Sequence, residues 1–438
     1  MIKNIKSWLI ERLWGMGSTE INFNHEKNQE LISEIEKDLF QSGEIRNDGK
    51  SLFSTLIRRT LAQFLGQKYW IASLWIYIIR YGISIFALPF CILVPLIRGM
   101  LNVRFSPKEK GGAQVVSFLE VEFYRPFLDE IFPDGYTLTS THNMELHLKD
   151  IKFILKVLRA CPQYLLYPEL LCRVVIRLGQ YSYVIYHNYP KIISNFAEGS
   201  CWSSFLTAYC REFGIKHINI MHGVRYFSSP MAFAEFDVFY LWGEYHLEQF
   251  KTMKVSAKEF KISGNPLHRQ LREIVSSTIT EQPHRLLIMS EFSLFKEEKL
   301  FSLLCEVISQ IDDGWEVACR LHYQEIKRSI LFVKRLRDKM RREIILEDPG
   351  EVSLSDSLKK ASIVVGCYTN ALTDAWIAGR KCIYLHLPQG NKIPLQEYHH
   401  SKNIRIFSQG DKIQEFFNSP VFDDEIELAL KNRFSRNI

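Results

Sequence analysis

The length of 438 residues exceeds what one hydrophobic core usually organises, and it fits two domains of about 150–200 residues with an additional module. Hydrophobic residues make up 47% and charged residues 24%, which excludes an intrinsically disordered chain. The net charge of +6 comes from dispersed Lys and Arg. No basic stripe therefore argues for nucleic-acid binding, whereas a mildly basic surface suits anionic lipids or phosphorylated substrates.

The first 68 residues are polar and carry a mostly helical pattern, as in NQELISEIEKDLF (28–40). The extreme N-terminus, MIKNIKSWLIERLW, interleaves charged and apolar residues and lacks a continuous apolar core. We therefore expect no cleaved signal peptide and a cytoplasmic protein.

A strongly apolar segment follows at 69–101, and its stretch 81–97 contains no charged residue. A spanning helix needs about 20 apolar residues, so this stretch is marginal, and Pro89 and Pro95 would kink it. Three interpretations remain: a buried helical hairpin, a monotopic segment lying in one leaflet, or a true span. Flanking tryptophans, tyrosines and arginines are typical of interface anchors and favour contact with the inner face of the cytoplasmic membrane. The stretch 104–112 predicts a linker.

Two series of alternating strands and helices follow the linker. The first predicts strands at 113–121, 181–189, 217–223 and 236–246, with helices at 148–161 and 202–214. The second predicts strands at 285–290, 315–322, 343–348, 362–368 and 381–387, with helices at 296–311, 331–342, 354–361 and 370–379. The predicted fold class is α/β, with two Rossmann-like domains of GT-B type facing a cleft. The predicted divisions are a helical extension (1–110), an acceptor domain (111–265) and a nucleotide-donor domain (266–438).

Several local patterns, in order, carry a family resemblance. They are MHG (221–223), DVFYLWGEYHLEQF (237–250), KISGNPLHRQL (261–271), CRLHYQE (319–325) and SLKKASIVVGCYTNALTDAWIAGRKCIYL (357–385). Over about 113–390 the chain resembles bacterial surface-polysaccharide transferases of the GT-B fold. That group includes capsule-synthesis proteins, sialyl- and polysialyltransferases, and CDP-glycerol glycerophosphotransferases.

The chain departs from this family at two places. The family usually has His-Pro where this chain has His322-Tyr323, and it has paired serines where this chain has Tyr368, Thr369 and Asn370. Both changes keep the type of group, and both leave the identity of the donor open.

The turn after the strand 362–368 predicts an anion site. Backbone N–H groups at the following helix start, the Thr369 hydroxyl and the Asn370 amide would converge on a nucleotide phosphate. On chemistry alone Thr369 could equally be a helix N-cap, and the resemblance favours the phosphate. Asp374 could accept a hydrogen bond from a ribose or an incoming hydroxyl, or it could be a solvated helix carboxylate. The predicted donor-binding set in this stretch also includes Tyr368.

Two further stretches contribute donor-binding candidates. Arg320 and His322 end the strand 315–322, and alternation would put both on one face, where they could hold a phosphate leaving group. The alternative is an Arg in a surface ion pair and a capping His. In SGNP (263–266), Gly264 would let the backbone approach a ligand beside Asn265, or the stretch is an ordinary loop before a helix.

The acceptor side is predicted around a strand that ends in His222 and Gly223. The imidazole could take a proton from an acceptor hydroxyl or bind a phosphate, and Gly223 would leave room for substrate. A carboxylate after the first strand could act as general base, and the pattern does not choose between Glu120 and Glu122 or exclude plain surface charges. The remaining predicted acceptor-binding residues are Arg125, which would bind an anionic group, and His187 and Asn188, which would end another strand.

Several common enzyme motifs are absent from the sequence. There is no P-loop, GxSxG, HExxH or GxGxxG pattern, which argues against NTPases, α/β-hydrolases, metalloproteases and dinucleotide oxidoreductases. The one acidic pair of interest, in IDDGW (311–315), looks like a turn, so we expect no metal site. Nine scattered cysteines without metal-ligand spacing predict buried free thiols.

The resemblance implies a metal-independent glycosyltransferase that needs no cofactor beyond its nucleotide-sugar donor, CMP- or UDP-linked. Its acceptor would be a hydroxyl of a surface polysaccharide or lipid-linked glycan. Three alternatives stay open: a CDP-alditol phosphotransferase, a nucleotide-sugar epimerase, and a non-catalytic member of a polysaccharide assembly complex.

Overall fold

The structure is a computed structural model, and it describes residues 25–40, 49–68, 74–102, 114–118, 125–139, 143–196, 200, 202–221, 223, 231–276, 284–291, 294–295, 297–322, 326–367, 369–387 and 396–435. The candidates Glu120, Glu122, His222 and Tyr368 lie outside the described residues, as does the predicted linker 104–112. The chain divides into two compact units. Unit 1 covers Met1–His222, Phe227–Leu241 and His246–Ile262, and unit 2 covers Gly223–Tyr226, Trp242–Tyr245 and Ser263–Ile438.

Unit 1 contains a parallel sheet with helices that pack on it. Its helices are α1 (His25–Phe40), α2 (Gly49–Lys68), α3 (Leu74–Asn102), α4 (Arg125–Ile131), α5 (Leu148–Ala160), α6 (Pro168–Asn188), α7 (Ser203–Glu212) and most of α8 (Glu244–Thr252). Its strands are β1 (Val115–Phe118), β2 (Thr137–Thr139), β3 (Ile192–Asn195), β4 (Lys216–Ile220), β5 (Glu235–Leu241) and β6 (Ser256–Ile262). The strand order is β2-β1-β3-β4-β5-β6, with every neighbouring pair parallel.

Three helices of unit 1, α5, α6 and α7, meet at a buried carboxylate. Asp150 in α5 accepts hydrogen bonds from the Ser182 hydroxyl of α6 at 2.7 Å and the Tyr209 hydroxyl of α7 at 2.6 Å. It also accepts from the backbone N–H of His147 at 2.6 Å, at the start of α5. A buried carboxylate is tolerable only when its oxygens are satisfied in this way, so Asp150 fixes three helices relative to one another.

The predicted strand at 181–189 is wrong, because these residues form the C-terminal half of α6. The helix begins with Pro168 at its first position and ends at Tyr189, which adopts the left-handed conformation with φ of 48°. Its tyrosines, valines and isoleucines resemble a strand by composition, but they belong to a long helix in which Tyr181, Val184 and Ile185 are buried. The strand that was expected there is β3, which follows at Ile192.

The apolar segment forms one continuous helix, α3, which includes both Pro89 and Pro95. The interpretation as a helical hairpin is therefore wrong, since an interior proline kinks a helix and does not reverse the chain. By length and composition alone, Tyr81–Leu101 could cross a membrane, and 17% of its most apolar window is buried.

Unit 2 contains the second parallel sheet. Its strands are β7 (Arg285–Met289), β8 (Glu316–Arg320), β9 (Ile345–Glu347), β10 (Ile363–Gly366), β11 (Lys381–Leu385) and β12 (Ile404–Phe407). Its helices are α9 (Pro266–Ser276), α10 (Glu298–Ser309), α11 (Ile326–Met340), α12 (Leu354–Lys360), α13 (Asn370–Ile377), α14 (Gln414–Asn418) and α15 (Glu425–Phe434). The strands β7, β10 and β11 are buried throughout, as expected for parallel strands covered on both faces.

The strand order of unit 2 is β12-β11-β10-β7-β8-β9, and all pairs are parallel. Counted within the unit, this is the doubly wound order 3-2-1-4-5-6 of Rossmann folds. The predicted α/β class with two Rossmann-like units and an apolar N-terminal helix is confirmed.

Candidate functional site

The strand order of unit 2 reverses direction between β7 and β10, which are paired neighbours with Val365 opposite Ile288. In open α/β sheets, ligands bind outside the carboxyl ends of the strands at such a reversal, because the two following connections leave toward opposite faces and open a crevice. We call the residues that end or follow β7 and β10 here the switch-point site. They are Glu291, Gly366, Cys367, Thr369 and Asn370.

A buried hydrogen bond connects the two strand ends at this site. The Cys367 thiol donates to the Glu291 Oε1 atom at 2.6 Å, and both side chains are buried. Gly366 ends β10 with little space around it, since a Cβ there would lie 3.3 Å from the Thr369 Cγ2 atom and 3.5 Å from the Met289 Cβ atom. The backbone at the reversal is therefore closely packed, and it holds the Glu291 carboxylate at the carboxyl ends of these two strands.

The N-terminus of α13 follows directly after β10. Thr369 is its N-cap, and the Thr369 hydroxyl accepts a hydrogen bond from the Ala371 N–H at 3.3 Å. The capping alternative for Thr369 is thus observed, and at 3.3 Å the contact is long. The Asn370 side chain is exposed, and it approaches Gly223 so closely that a Cβ there would lie 2.7 Å from the Asn370 Nδ2 atom. The structure therefore brings the predicted acceptor residue Gly223 together with the predicted donor residue Asn370, in unit 2.

The predicted turn at Gly264 and Asn265 leads into α9. Gly264 has φ of 79°, in the left-handed region that glycine adopts readily. The Asn265 side chain accepts from the Leu267 N–H at 3.0 Å, so Asn265 caps α9 and Pro266 takes the first helical position. The observed geometry matches the alternative of a loop entering a helix, here the N-terminus of α9.

A histidine that the sequence analysis missed joins α9 to α13. The Nε2 atom of His268 donates to the Asp374 Oδ1 atom at 2.9 Å, and the His268 side chain is fully buried against the edge of Trp242. Asp374, which was expected to contact a ribose or an incoming hydroxyl, is therefore engaged inside the protein. The pair fixes the first turns of α9 and α13 beside one another.

Arg320 ends β8, the neighbour of β7 on the other side of the reversal. Its guanidinium donates to the Val352 carbonyl at 2.7 Å and to the Ser357 hydroxyl at 2.9 Å, and burial lowers its pKa from the ordinary value. Because β8 ends at Arg320, strand alternation does not extend to His322, and the expectation of a shared face loses its basis. The backbone N–H of His322 instead donates to the Ser329 hydroxyl at 3.3 Å.

A second missed histidine, His386, follows the carboxyl end of β11, the strand next to β10. Its side chain is half-buried, and its Nδ1 atom has no hydrogen-bond partner among the described residues. Burial lowers its pKa, and the nearby His399 lowers it further. A histidine at the end of a buried strand is the same signal that singled out His222, and it could have identified His386.

The described acceptor candidates of unit 1 do not form one group in the structure. Arg125 is the first residue of α4 and is exposed. His187 lies in the last turn of α6, where its Nε2 atom is 3.0 Å from the buried Glu145 Oε2 atom, and Asn188 ends the same helix. The assignment of His187 and Asn188 depended on a strand at 181–189, where the structure has the helix α6. Among the described residues no group of three His, Cys, Asp or Glu side chains could hold a metal ion.

Unit 2 thus belongs to the doubly wound α/β class, with helix N-termini and polar groups gathered around one strand reversal. No protein-family model matches the chain, and no curated protein matches its sequence.

Solved structures that match include a putative UDP-N-acetylglucosamine 2-epimerase from Listeria monocytogenes, 12% identical with a TM-score of 0.46, covering 74% of this chain and 93% of that chain. The UDP-GlcNAc 2-epimerase of Methanocaldococcus jannaschii is 12% identical with a TM-score of 0.41. The match covers 74% of this chain and 92% of that chain. Anabaena HepE in complex with UDP and glucose is 10% identical with a TM-score of 0.43, covering 74% and 96%. These TM-scores all lie below 0.5.

Proposed function

We propose that this protein is an enzyme acting on a nucleotide-activated sugar, with the nucleotide bound at the switch-point site of unit 2. The observation that supports this most is the strand reversal between β7 and β10, with the N-terminus of α13 directly after β10. A helix N-terminus presents unpaired N–H groups and a partial positive charge, and phosphates bind there readily.

Individual residues have separate roles in this proposal. The N–H groups of the first turn of α13 and the Asn370 amide bind the phosphates, and the Thr369 hydroxyl gives up its long capping contact to join them. Glu291 is an acceptor for hydroxyl groups of the ribose, and the Cys367 thiol orients it. His268 and Asp374 act as positioning residues, because their hydrogen bond fixes the helix that carries the phosphate-binding groups.

Glycosyl transfer is the reaction favoured by the apolar helix α3, which would keep the enzyme near a lipid-linked acceptor. Epimerisation of the sugar, which the sequence left open, is the second candidate, because an epimerase would bind the same kind of nucleotide sugar at the switch-point site. Transfer needs an acceptor, whereas an epimerase converts the nucleotide sugar alone. Proton NMR of UDP-N-acetylglucosamine incubated with the full-length protein distinguishes them. Appearance of the 2-epimer without acceptor assigns the epimerase, whereas nucleotide release that depends on added glycan assigns the transferase.

Calorimetric titration with UDP, UMP, CDP, CMP and ADP tests the binding proposal and the donor class. We expect one uridine or cytidine nucleotide to bind, and we expect Thr369→Ala to weaken that binding by about tenfold, as for one lost phosphate hydrogen bond. Ser353→Ala is the matched control, because Ser353 caps α12 through the same kind of contact, to the Asp356 N–H at 3.1 Å. If both variants bind every nucleotide as the unsubstituted protein does, the switch-point site is not the phosphate site.

The proposal places the protein in the cytoplasm. The described cysteines, Cys91, Cys161, Cys172, Cys210, Cys305, Cys319, Cys367 and Cys382, are free thiols, which suits a reducing compartment. Fractionation of cells that express the tagged chain tests this location.

A further inference from the structure

The helix α3 presents a continuous apolar surface to solvent. Exposed residues recur at intervals of three and four, which places them along one face of the helix. The most exposed are Phe86, at 78%, and Phe90, at 69%. We call this face the α3 stripe, and its members are Ile83, Phe86, Phe90, Leu93, Val94, Ile97, Met100 and Leu101. Apolar patches of this extent are rare on soluble surfaces unless something covers them.

The opposite face of α3 is attached to unit 1. In the first half of α3, the Ser84 carbonyl accepts a hydrogen bond from the Cys172 thiol of α6 at 3.2 Å. Further along, the Pro95 carbonyl accepts from the Leu146 N–H at 3.0 Å. Gly99 packs directly on the backbone of Leu146, where a Cβ would overlap the carbonyl oxygen. These contacts therefore hold the part of the helix from Ser84 to Gly99 along the side of the unit.

This attachment argues against a transmembrane arrangement of α3. A span would carry the attached part of α6 into the hydrocarbon, including the ion pair between Glu169 and Arg173 at 2.7 Å. Near the C-terminal end of α3, the Arg98 guanidinium donates to the Asn143 side chain at 3.1 Å and lies 3.8 Å from the Glu145 carboxylate. Arg98 is exposed beside these polar partners and must stay near water, so the stripe is the part of this surface that can enter an apolar phase.

The charges beside the stripe suit an anionic surface. The helix α5 begins two residues after Leu146, the residue that contacts Gly99. Its only carboxylate, Asp150, is buried, whereas its cations Lys149, Lys152 and Arg159 are exposed, as is Lys156, which pairs with Glu212 at 2.6 Å. Two exposed leucines, Leu148 and Leu155, lie among them. Exposed cations next to an uncharged apolar face are the combination by which proteins bind anionic membranes.

We propose that the α3 stripe is a membrane-binding surface, lying in the plane of one leaflet of an anionic phospholipid bilayer, with the cations of α5 at the headgroups. This inference does not depend on the proposed enzymatic reaction. The membrane replaces water over the stripe, while unit 1 keeps its contacts with the other face of α3.

Vesicle co-sedimentation of the full-length protein tests this surface. We expect binding to vesicles containing phosphatidylglycerol, weaker binding to pure phosphatidylcholine, and release by salt. The triple variant Phe86→Ser/Phe90→Ser/Ile97→Ser should bind at least about tenfold more weakly, since burial of these side chains drives insertion. The control is Ile330→Ser/Leu331→Ser/Ile426→Ser, which changes three exposed apolar residues of unit 2 and should bind normally.

Depth measurement separates an in-plane helix from a span and does not depend on the triple variant folding. Phe86 and Ile97 lie about 16 Å apart along the helix axis. A fluorophore attached at Phe86→Cys or Ile97→Cys should be quenched by brominated lipids at the same shallow depth. Different depths would establish a span and overturn the proposal.

Two further results would contradict a lipid surface. One is equal vesicle binding by the α3 triple variant and the control. The other is a lipid-free dimer that only the α3 substitutions dissociate, together with no vesicle binding, which would assign the stripe to a second copy of the chain.

Discussion

His268 and Asp374 form a buried hydrogen-bonded pair between α9 and α13, with 2.9 Å between the Nε2 and Oδ1 atoms. Replacing Asp374 with Ala leaves the His268 Nε2 atom buried without its acceptor. We expect Asp374→Ala to lower the free energy of unfolding by about 1–3 kcal/mol and to weaken nucleotide binding, since α13 loses its attachment. Urea unfolding and calorimetric titration measure the two effects.

Glu298 provides the control for this prediction, because its ion pair with Arg335 is exposed. We expect Glu298→Ala to change neither property measurably. Unchanged nucleotide affinity in a destabilised Asp374→Ala protein would remove the positioning role and leave a purely structural pair.

Gly223 offers a separate test of the residues around Asn370. A Cβ at Gly223 would lie 2.7 Å from the Asn370 Nδ2 atom, so Gly223→Ala must displace the exposed Asn370 amide. We expect nearly unchanged stability and several-fold weaker nucleotide binding. Gly314→Ala is the control, since a Cβ there meets nothing within 4 Å. Equal affinities of the two variants, measured by titration, would exclude Asn370 from the phosphate site.

His217 makes the stability of unit 1 depend on pH. Its Nδ1 atom lies 2.7 Å from the Thr207 hydroxyl and its Nε2 atom 2.9 Å from the Asn195 amide nitrogen. Burial lowers the pKa of His217 to about 4 from its ordinary value of 6.5, although Asp237 raises it in part. Between these two pH values the unfolded chain binds more protons than the folded protein does. The stabilising contribution of His217 is therefore fully present above pH 6.5 and is lost as the pH falls toward 4.

The size of this loss is on the order of 3 kcal/mol, as the difference between the two pKa values implies. We expect His217→Gln to be less stable at neutral pH and to lose part of this pH dependence. Chemical unfolding at several pH values measures it, with the exposed His400→Gln as control. A slope in His217→Gln equal to that of the control would show that another group titrates.

At the scale of the element, α3 shows how two glycines of one helix differ. Gly99 packs on Leu146 without room for a Cβ, whereas a Cβ at Gly82 meets nothing within 4 Å. We expect Gly99→Ala to loosen the docking of α3 and to raise its hydrogen exchange. Gly82→Ala should leave exchange unchanged and stabilise the helix by up to about 1 kcal/mol. The opposite ranking would contradict the observed packing of α3.

Most elements of unit 2 could be predicted from the sequence. The strands β7, β8, β10 and β11 are short apolar runs between helix signals, and a glycine ends the α13 connection at Gly379, with φ of 88°. The helix α6 could not be distinguished in the same way, because a helix buried on several sides loses its periodicity and its aromatic and β-branched residues imitate a strand.

The site was only partly predictable for a related reason. The turn at Thr369 and Asn370 was recognisable because strand, polar turn and helix are local in sequence. The pair of His268 and Asp374 joins residues 106 apart in the chain, and only the folded unit shows it. Asp374 and Arg320 were predicted as ligand contacts from their residue type, whereas the structure shows that both have partners within the protein.

At the scale of the whole molecule, the two sheets have different strand orders. Unit 1 reverses between β1 and β3, and unit 2 reverses between β7 and β10. Each reversal is a place where a ligand can bind. In unit 2 the reversal has a helix N-terminus with Asn370 exposed beside it, which is why the nucleotide is assigned there.

Hydrogen–deuterium exchange of the full-length protein, with and without the nucleotide that titration selects, tests this assignment most directly. We expect slower exchange at the backbone amides of 366–372, at the end of β10 and the start of α13, and at 264–268, at the start of α9. Slower exchange confined to the carboxyl ends of β1 and β3 in unit 1, with no change at 366–372, would contradict it.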